Sequence, residues 1–178
     1  MSLRGAGRAL ALLLALAAWG VFAGQFAVAL AAPFDANGVK LGDDEAAVKQ
    51  GFPAARCKPL EWKSDAADRR CDDGQAPFAG VESRVTFYLK DNAVRGFDVR
   101  FDSGQVEPVA DFLKRRYGKP AAEGREKIVR KNKQEREVLK ILWEQGKDRA
   151  LLSSLSTGKR ASLSVSRGNF DEEIYRVK

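Results

Sequence analysis

Residues 84–101 read RVTFYLKDNAVRGFDVRF. In the first part Val85, Phe87 and Leu89 alternate with Thr86, Tyr88 and Lys90, which predicts a strand with one apolar face. Asp91-Asn92 predicts a tight turn. The alternation then returns, with Phe97, Val99 and Phe101 inward and Asp98 and Arg100 outward. Gly96 falls where the alternation breaks, which predicts a bulge. One-sided alternation belongs to an antiparallel sheet with one face in water and the other on a core.

The same pattern recurs downstream. Glu137 to Trp143 puts Leu139, Ile141 and Trp143 on one face, and Ala150 to Leu155 predicts another strand. Thr157-Gly158-Lys159 reads as a turn. Beyond it, Ala161, Leu163 and Val165 alternate with Arg160, Ser162, Ser164 and Ser166. Upstream, Cys57 to Lys63 and Asp68 to Asp73 predict a hairpin.

Each set of strands follows a helix signal. Within 38–53, Asp43 is placed to cap a helix, Asp44 and Glu45 suit its positive end, and Gly51 and Pro53 stop it, with Gly51 in the left-handed conformation. Within 103–120, Val109, Phe112, Leu113 and Tyr117 form one stripe, and Gly118 and Pro120 end it. The paired endings Gly51-Phe52-Pro53 and Gly118-Lys119-Pro120 read as an internal duplication, with halves 32–102 and 103–178 of a single domain. The expected fold class is α+β: an antiparallel sheet covered by helices on one face, in two tandem helix-plus-strands units.

Leu41-Gly42-Asp43-Asp44-Glu45-Ala46-Ala47-Val48 followed by Gly51-Phe52-Pro53 resembles the small envelope proteins of the BamE (SmpA/OmlA) type and the β-lactamase-inhibitor-like fold. The resemblance covers about twenty residues of the first half and fewer of the second. It implies a fold only. The lipoprotein cysteine of the BamE type is missing here, so a role in outer-membrane assembly does not carry over.

The first residues predict a destination. Arg4 and Arg8 precede an uncharged run from Ala9 to Ala32, and Ala29-Leu30-Ala31 offers a small-x-small cleavage motif. This is the layout of a signal peptide over residues 1–31. The alternative is an uncleaved inner-membrane anchor over residues 9–32, with the domain outside the cytoplasm. On either reading Cys57 and Cys71 face an oxidising compartment, and the even count predicts a disulfide. Nucleic acid is then an unsuitable partner despite a formal charge of +7.

The chain has no histidine and two cysteines. Histidine-based catalysis and histidine zinc sites are excluded, as are a Cys-only zinc site and an iron–sulfur cluster within one chain. No cofactor and no metal are called for. The acidic groups at Asp43-Asp44-Glu45, Asp72-Asp73 and Asp171-Glu172-Glu173 read as a helix cap, a turn and a solvated tail. Ser156-Thr157-Gly158-Lys159 matches Ser-x-x-Lys, but it lies in a turn rather than at a helix start. Trp62 reads as the lid of a small core, or else as an exposed ring for a sugar or protein.

The densest charge feature runs from Lys114 to Lys140. It holds Lys114, Arg115, Arg116, Lys119, Arg125, Lys127, Arg130, Lys131, Lys133, Arg136 and Lys140 against four glutamates. This stretch is the candidate surface for an anionic partner, the alternative being a solvated surface. The expectation is therefore an exported, periplasmic binding or adaptor protein without a catalytic site. Its partner would be another envelope protein or an anionic envelope lipid or glycan. An inhibitor of a secreted enzyme and a carboxylate-dependent cell-wall hydrolase are the other candidates.

Overall fold

The computed structural model describes residues 32–129 and 135–176. The leader 1–31, the anchor alternative up to residue 31, and Arg130, Lys131 and Lys133 of the basic stretch lie outside the described residues.

Strand β1 (Asp35–Ala36) and strand β2 (Val39–Lys40) make a small hairpin ahead of helix α1 (Glu45–Gly51). Strands β3 (Arg56–Pro59), β4 (Arg69–Phe78), β5 (Val81–Lys90) and β6 (Ala93–Asp102) follow as one antiparallel meander. A 3-10 turn at Ser103–Gln105 leads into helix α2 (Val106–Tyr117). Strands β7 (Ala122–Val129), β8 (Glu135–Gln145), β9 (Asp148–Leu155) and β10 (Arg160–Arg167) form the second meander, and helix α3 (Phe170–Glu173) comes last. β10 pairs with β6, so one eight-stranded sheet runs β3-β4-β5-β6-β10-β9-β8-β7.

This overturns the expected fold class. Strands make up 52% of the structure and helices 19%, so the fold is β-rich and not an α+β sheet covered by helices. The reason is dimensional. Eight strands about 4.8 Å apart span about 34 Å, whereas α1 and α2 reach about 10 Å and about 18 Å. A helical stripe in the sequence marks a helix, but not how much sheet that helix can cover.

The inner face buries the alternating residues of the hairpin at 84–101 together with Leu139, Ile141, Trp143, Leu152, Leu163 and Val165. Against them pack Val109, Ala110, Leu113 and Tyr117 of α2, Val48 of α1, and Phe34, Ala36 and Val39 of the N-terminal hairpin. Trp143 donates its Nε1 hydrogen to the Gly118 carbonyl at 2.9 Å, so the indole is buried with its polar atom satisfied.

Local chemistry differs from expectation in two places. Asp44 caps α1 by accepting from the Ala47 amide at 2.9 Å, while Asp43 accepts from the Lys40 amide at 2.8 Å. Gly118 has φ +81°, but Gly51, where the left-handed ending is expected, is the last helical residue and its φ is not positive. A side chain at Gly51 would come within 2.8 Å of Val39, so this position needs glycine for close approach. The two helix ends that look alike in sequence thus use glycine for different reasons.

The outer face is not uniformly wet. Ala66, Ala67, Tyr88, Phe170 and Ile174 form a second small core there, with Leu60 and Trp62 packed against it. The bulge at Gly96 makes this core fit. Tyr88 pairs with Gly96 and Leu89 with Val94, leaving Arg95 as the extra residue. A Cβ at Gly96 would stand 2.5 Å from the Phe170 ring. The acidic tail is therefore docked, with Asp171 accepting from Arg149 at 2.8 Å and from Ser166 at 2.9 Å.

Candidate functional site

The candidate site lies on the outer face, towards the end where β6 finishes and β10 begins. Because inward and outward residues alternate, Arg84 of β5 and Arg100 of β6 point outward beside buried Val85 and Val99. The two arginines are direct cross-strand partners. Like charges placed directly opposite one another are destabilising. Arg160, at the start of β10, and Lys159, in the turn before it, add two more cations around a shallow depression of about 260 Å³.

The pairing extends this into a row. Arg100 stands opposite Ser162, Ser162 opposite Ser153, Ser153 opposite Lys140, and Lys140 opposite Gly124. Two guanidiniums, two hydroxyls and an ammonium thus cross five neighbouring strands, spanning about 19 Å at the usual strand spacing. Ser153 and Ser162 lie 3.1 Å apart, hydroxyl to hydroxyl. All five groups can donate hydrogen bonds, and three are cationic.

Compensation at the arginine end is sparse. Among the described residues Arg84, Lys159 and Arg160 make no ion pair, and Arg100 approaches Asp98 only at 4.0 Å. Glu82 and Asp102 line the depression, but Asp102 already accepts from the Gly104 amide at 2.7 Å. Burial pushes the Asp98 carboxyl above the usual carboxylate range, and nearby Asp171 adds to the rise; hydrogen bonds to Ser164 and Tyr88 and the Arg100 charge oppose it.

The basic stretch at 114–140 is arranged differently. Lys114 reaches Glu123 at 2.7 Å, and Arg125 reaches Glu107 at 3.2 Å. Lys140 reaches Glu126 at 2.7 Å and Lys127 reaches Glu135 at 3.7 Å. Arg116 grips the buried carboxylate of Asp35 with Nη2 at 2.6 Å and Nε at 2.8 Å. Arg136 lies half-buried on β8 opposite Ile128, and Arg115 and Lys119 are exposed at the end of α2. The eight described cations divide between a helix end and a hairpin, and five of them are matched to carboxylates at 4 Å or less.

Cys57 and Cys71 form the expected disulfide, from directly opposed positions on β3 and β4. Glu45 lies near both sulfurs. Disulfide sulfurs are not thiolates, so this trio does not have the donors of a metal site. A hydrogen bond from Lys49, assisted by Arg69, holds Glu45 below the usual carboxylate range. Trp62 is the lid of the outer core: its Nε1 donates to the Ile174 carbonyl at 2.7 Å, and its ring stacks on Tyr175. No helix among the described residues is long and apolar enough to cross a membrane.

The sequence singles out Lys140 as part of a run, but not Arg84, Arg100, Lys159 and Arg160. The available signal was a strand whose outward positions carry arginine, at 84 and again at 100. Only the register shows that they meet. Comparison with protein-family models, with curated proteins and with solved structures finds no match. A functional reading therefore rests on the chain's own residues.

Proposed function

We propose that this chain is an exported binding protein whose outer sheet face takes an anionic partner of the cell envelope, a lipid headgroup or an acidic glycan. The observation that carries this reading is the opposed Arg84–Arg100 pair, flanked by Arg160 and Lys159 and continued by a row of donors. Such a pair costs stability when bare. An anionic oxygen seated between two guanidiniums offsets that cost through charge-assisted, bidentate hydrogen bonds. The disulfide supports an oxidising compartment, and the leader-like residues 1–31 support export into the periplasm.

The test is cosedimentation with vesicles containing phosphatidylglycerol or with an acidic polysaccharide, each against a neutral counterpart. Binding to one of the anionic materials is expected, weakening as salt rises from about 0.05 M to about 0.5 M. Equal binding to neutral material, or no dependence on salt, contradicts the reading. A stoichiometric protein complex that survives high salt would replace it with the inhibitor reading.

A further inference from the structure

A larger cleft lies at the opposite end of the outer face, about six residues or about 20 Å along β5 from Arg84. Its volume is about 610 Å³, against about 260 Å³ for the depression beside the arginine pair. That falls within the range of about 300–1,000 Å³ typical of small-ligand sites. Three cations from three separate places line it: Lys90 at the end of β5, Arg95 in the β6 bulge, and Lys147 in the β8–β9 turn. None of the three has a hydrogen-bonding or ionic side-chain partner among the described residues.

The walls are fixed before any ligand arrives. Arg95 is the extra residue of the bulge, and bulges re-aim side chains. The Asp91 amide donates to Asp68 at 2.9 Å, tying the β5–β6 turn to the loop that carries Asp65. The Gly168 amide donates to the Lys147 carbonyl at 2.9 Å, fastening the second turn to the end of β10. Arg167 forks onto Asp148 at 2.6 and 2.8 Å, which holds a fourth cation, already paired, in the lining. Ala66 and Phe170 give an apolar wall, while Asp65 and Glu173 also line the cleft.

From this arrangement we infer a second binding site, separate from the arginine row, for a small phosphorylated polyol. Lys90, Arg95 and Lys147 supply a donor-only cationic end suited to a phosphate ester. The carboxylate of Glu173 disfavours a ligand that is negative along its whole length. It suits instead an uncharged body with hydroxyls to donate. The same glycerol phosphate chemistry occurs as a free metabolite and as a lipid headgroup, so the two sources need separate arms.

The experiment titrates the disulfide-bonded full-length domain with soluble glycerol 1-phosphate by calorimetry, and in parallel with vesicles of phosphatidylglycerol or phosphatidylcholine. The variants are Lys90→Gln, Arg95→Gln and Lys147→Gln, singly, with Arg56→Gln, exposed on β3 and outside both sites, as the control. Saturable binding of the soluble ester, weakened about tenfold or more by each cleft variant and unchanged by Arg56→Gln, supports a free ligand. Binding to phosphatidylglycerol vesicles alone, with the same dependence on the cleft variants, assigns the headgroup. Binding to neither probe, or binding that cleft variants with unchanged thermal midpoints do not weaken, overturns the inference. The outer-face reading is judged separately, by loss of anionic binding in Arg84→Gln.

Discussion

Two basic regions of this protein carry opposite lessons. The stretch from Lys114 to Lys140 is dense in sequence, but in space most of its described cations face carboxylates, some drawn from well outside the stretch, such as Asp35 and Glu107. The Arg84–Arg100–Lys159–Arg160 cluster is sparse in sequence and assembled by strand register, and its cations have few acidic neighbours. Local charge density therefore measures solubility and structural pairing as readily as it measures a binding surface. What attracts an anion is the charge left over after internal pairing.

Charge reversal separates the two regions most strongly. Arg84→Glu with Arg100→Glu should reduce affinity for anionic vesicles or polysaccharide by about two orders of magnitude or more, since each charged contact contributes about 1.5–3 kcal/mol. The thermal midpoint should stay near that of the parent, because both side chains are exposed. Removing the carboxylate under the basic stretch should act on stability instead. Asp35 is only 3% exposed and holds both Arg116 and the Gly38 amide. Asp35→Asn should cost about 1–3 kcal/mol in urea unfolding.

How much of this was legible beforehand depends on what each feature requires. The β5–β6 hairpin shows in the sequence because alternation, turn residues and a misplaced glycine are all local. Asp91 and Asn92 adopt φ of 51° and 60°, as their side chains tolerate, and the bulge falls at Gly96. β7 was legible only as part of a charged, solvated surface, because its residues are charged on both sides of an edge strand. That is how edges avoid pairing with other chains, and it erases the usual alternation. Beyond the outward arginines of the β5–β6 hairpin, the row was not legible. It depends on β10 pairing with β6 across a whole intervening meander, which no periodicity encodes.

A smaller effect turns the comparison around. If pairing silences the basic stretch, Glu107→Gln with Glu123→Gln should release Arg125 and Lys114 and raise anion affinity several-fold. Stability should move by about 1 kcal/mol or less, as for exposed ion pairs generally. Vesicle binding of this double variant measures how much of the silence is due to pairing.

The two smallest effects are stability changes beside the candidate site. Arg84→Gln removes one member of a like-charge cross-strand pair and should stabilise the fold by about 0.2–1 kcal/mol while weakening binding. Asp98→Asn probes the half-buried carboxyl next to Arg100. Its pKa in the folded chain is raised, so the folded state holds that proton more tightly than the unfolded chain. The parent's advantage from this group is complete below the unfolded pKa and is lost as pH rises through the folded one. Asp98→Asn should therefore match the parent in acid and exceed it near neutral pH, as thermal midpoints taken across the carboxylate range will show.

The most direct test sets the two regions against each other in one assay. Affinity for the anionic material found in cosedimentation would be compared between Arg84→Gln with Arg100→Gln and Lys114→Gln with Lys127→Gln, two variants that lose the same formal charge. A loss of about tenfold or more in the first and less than about twofold in the second is the expected result. Equal losses would mean that net charge alone governs binding, and a larger loss in the second would return the site to the basic stretch.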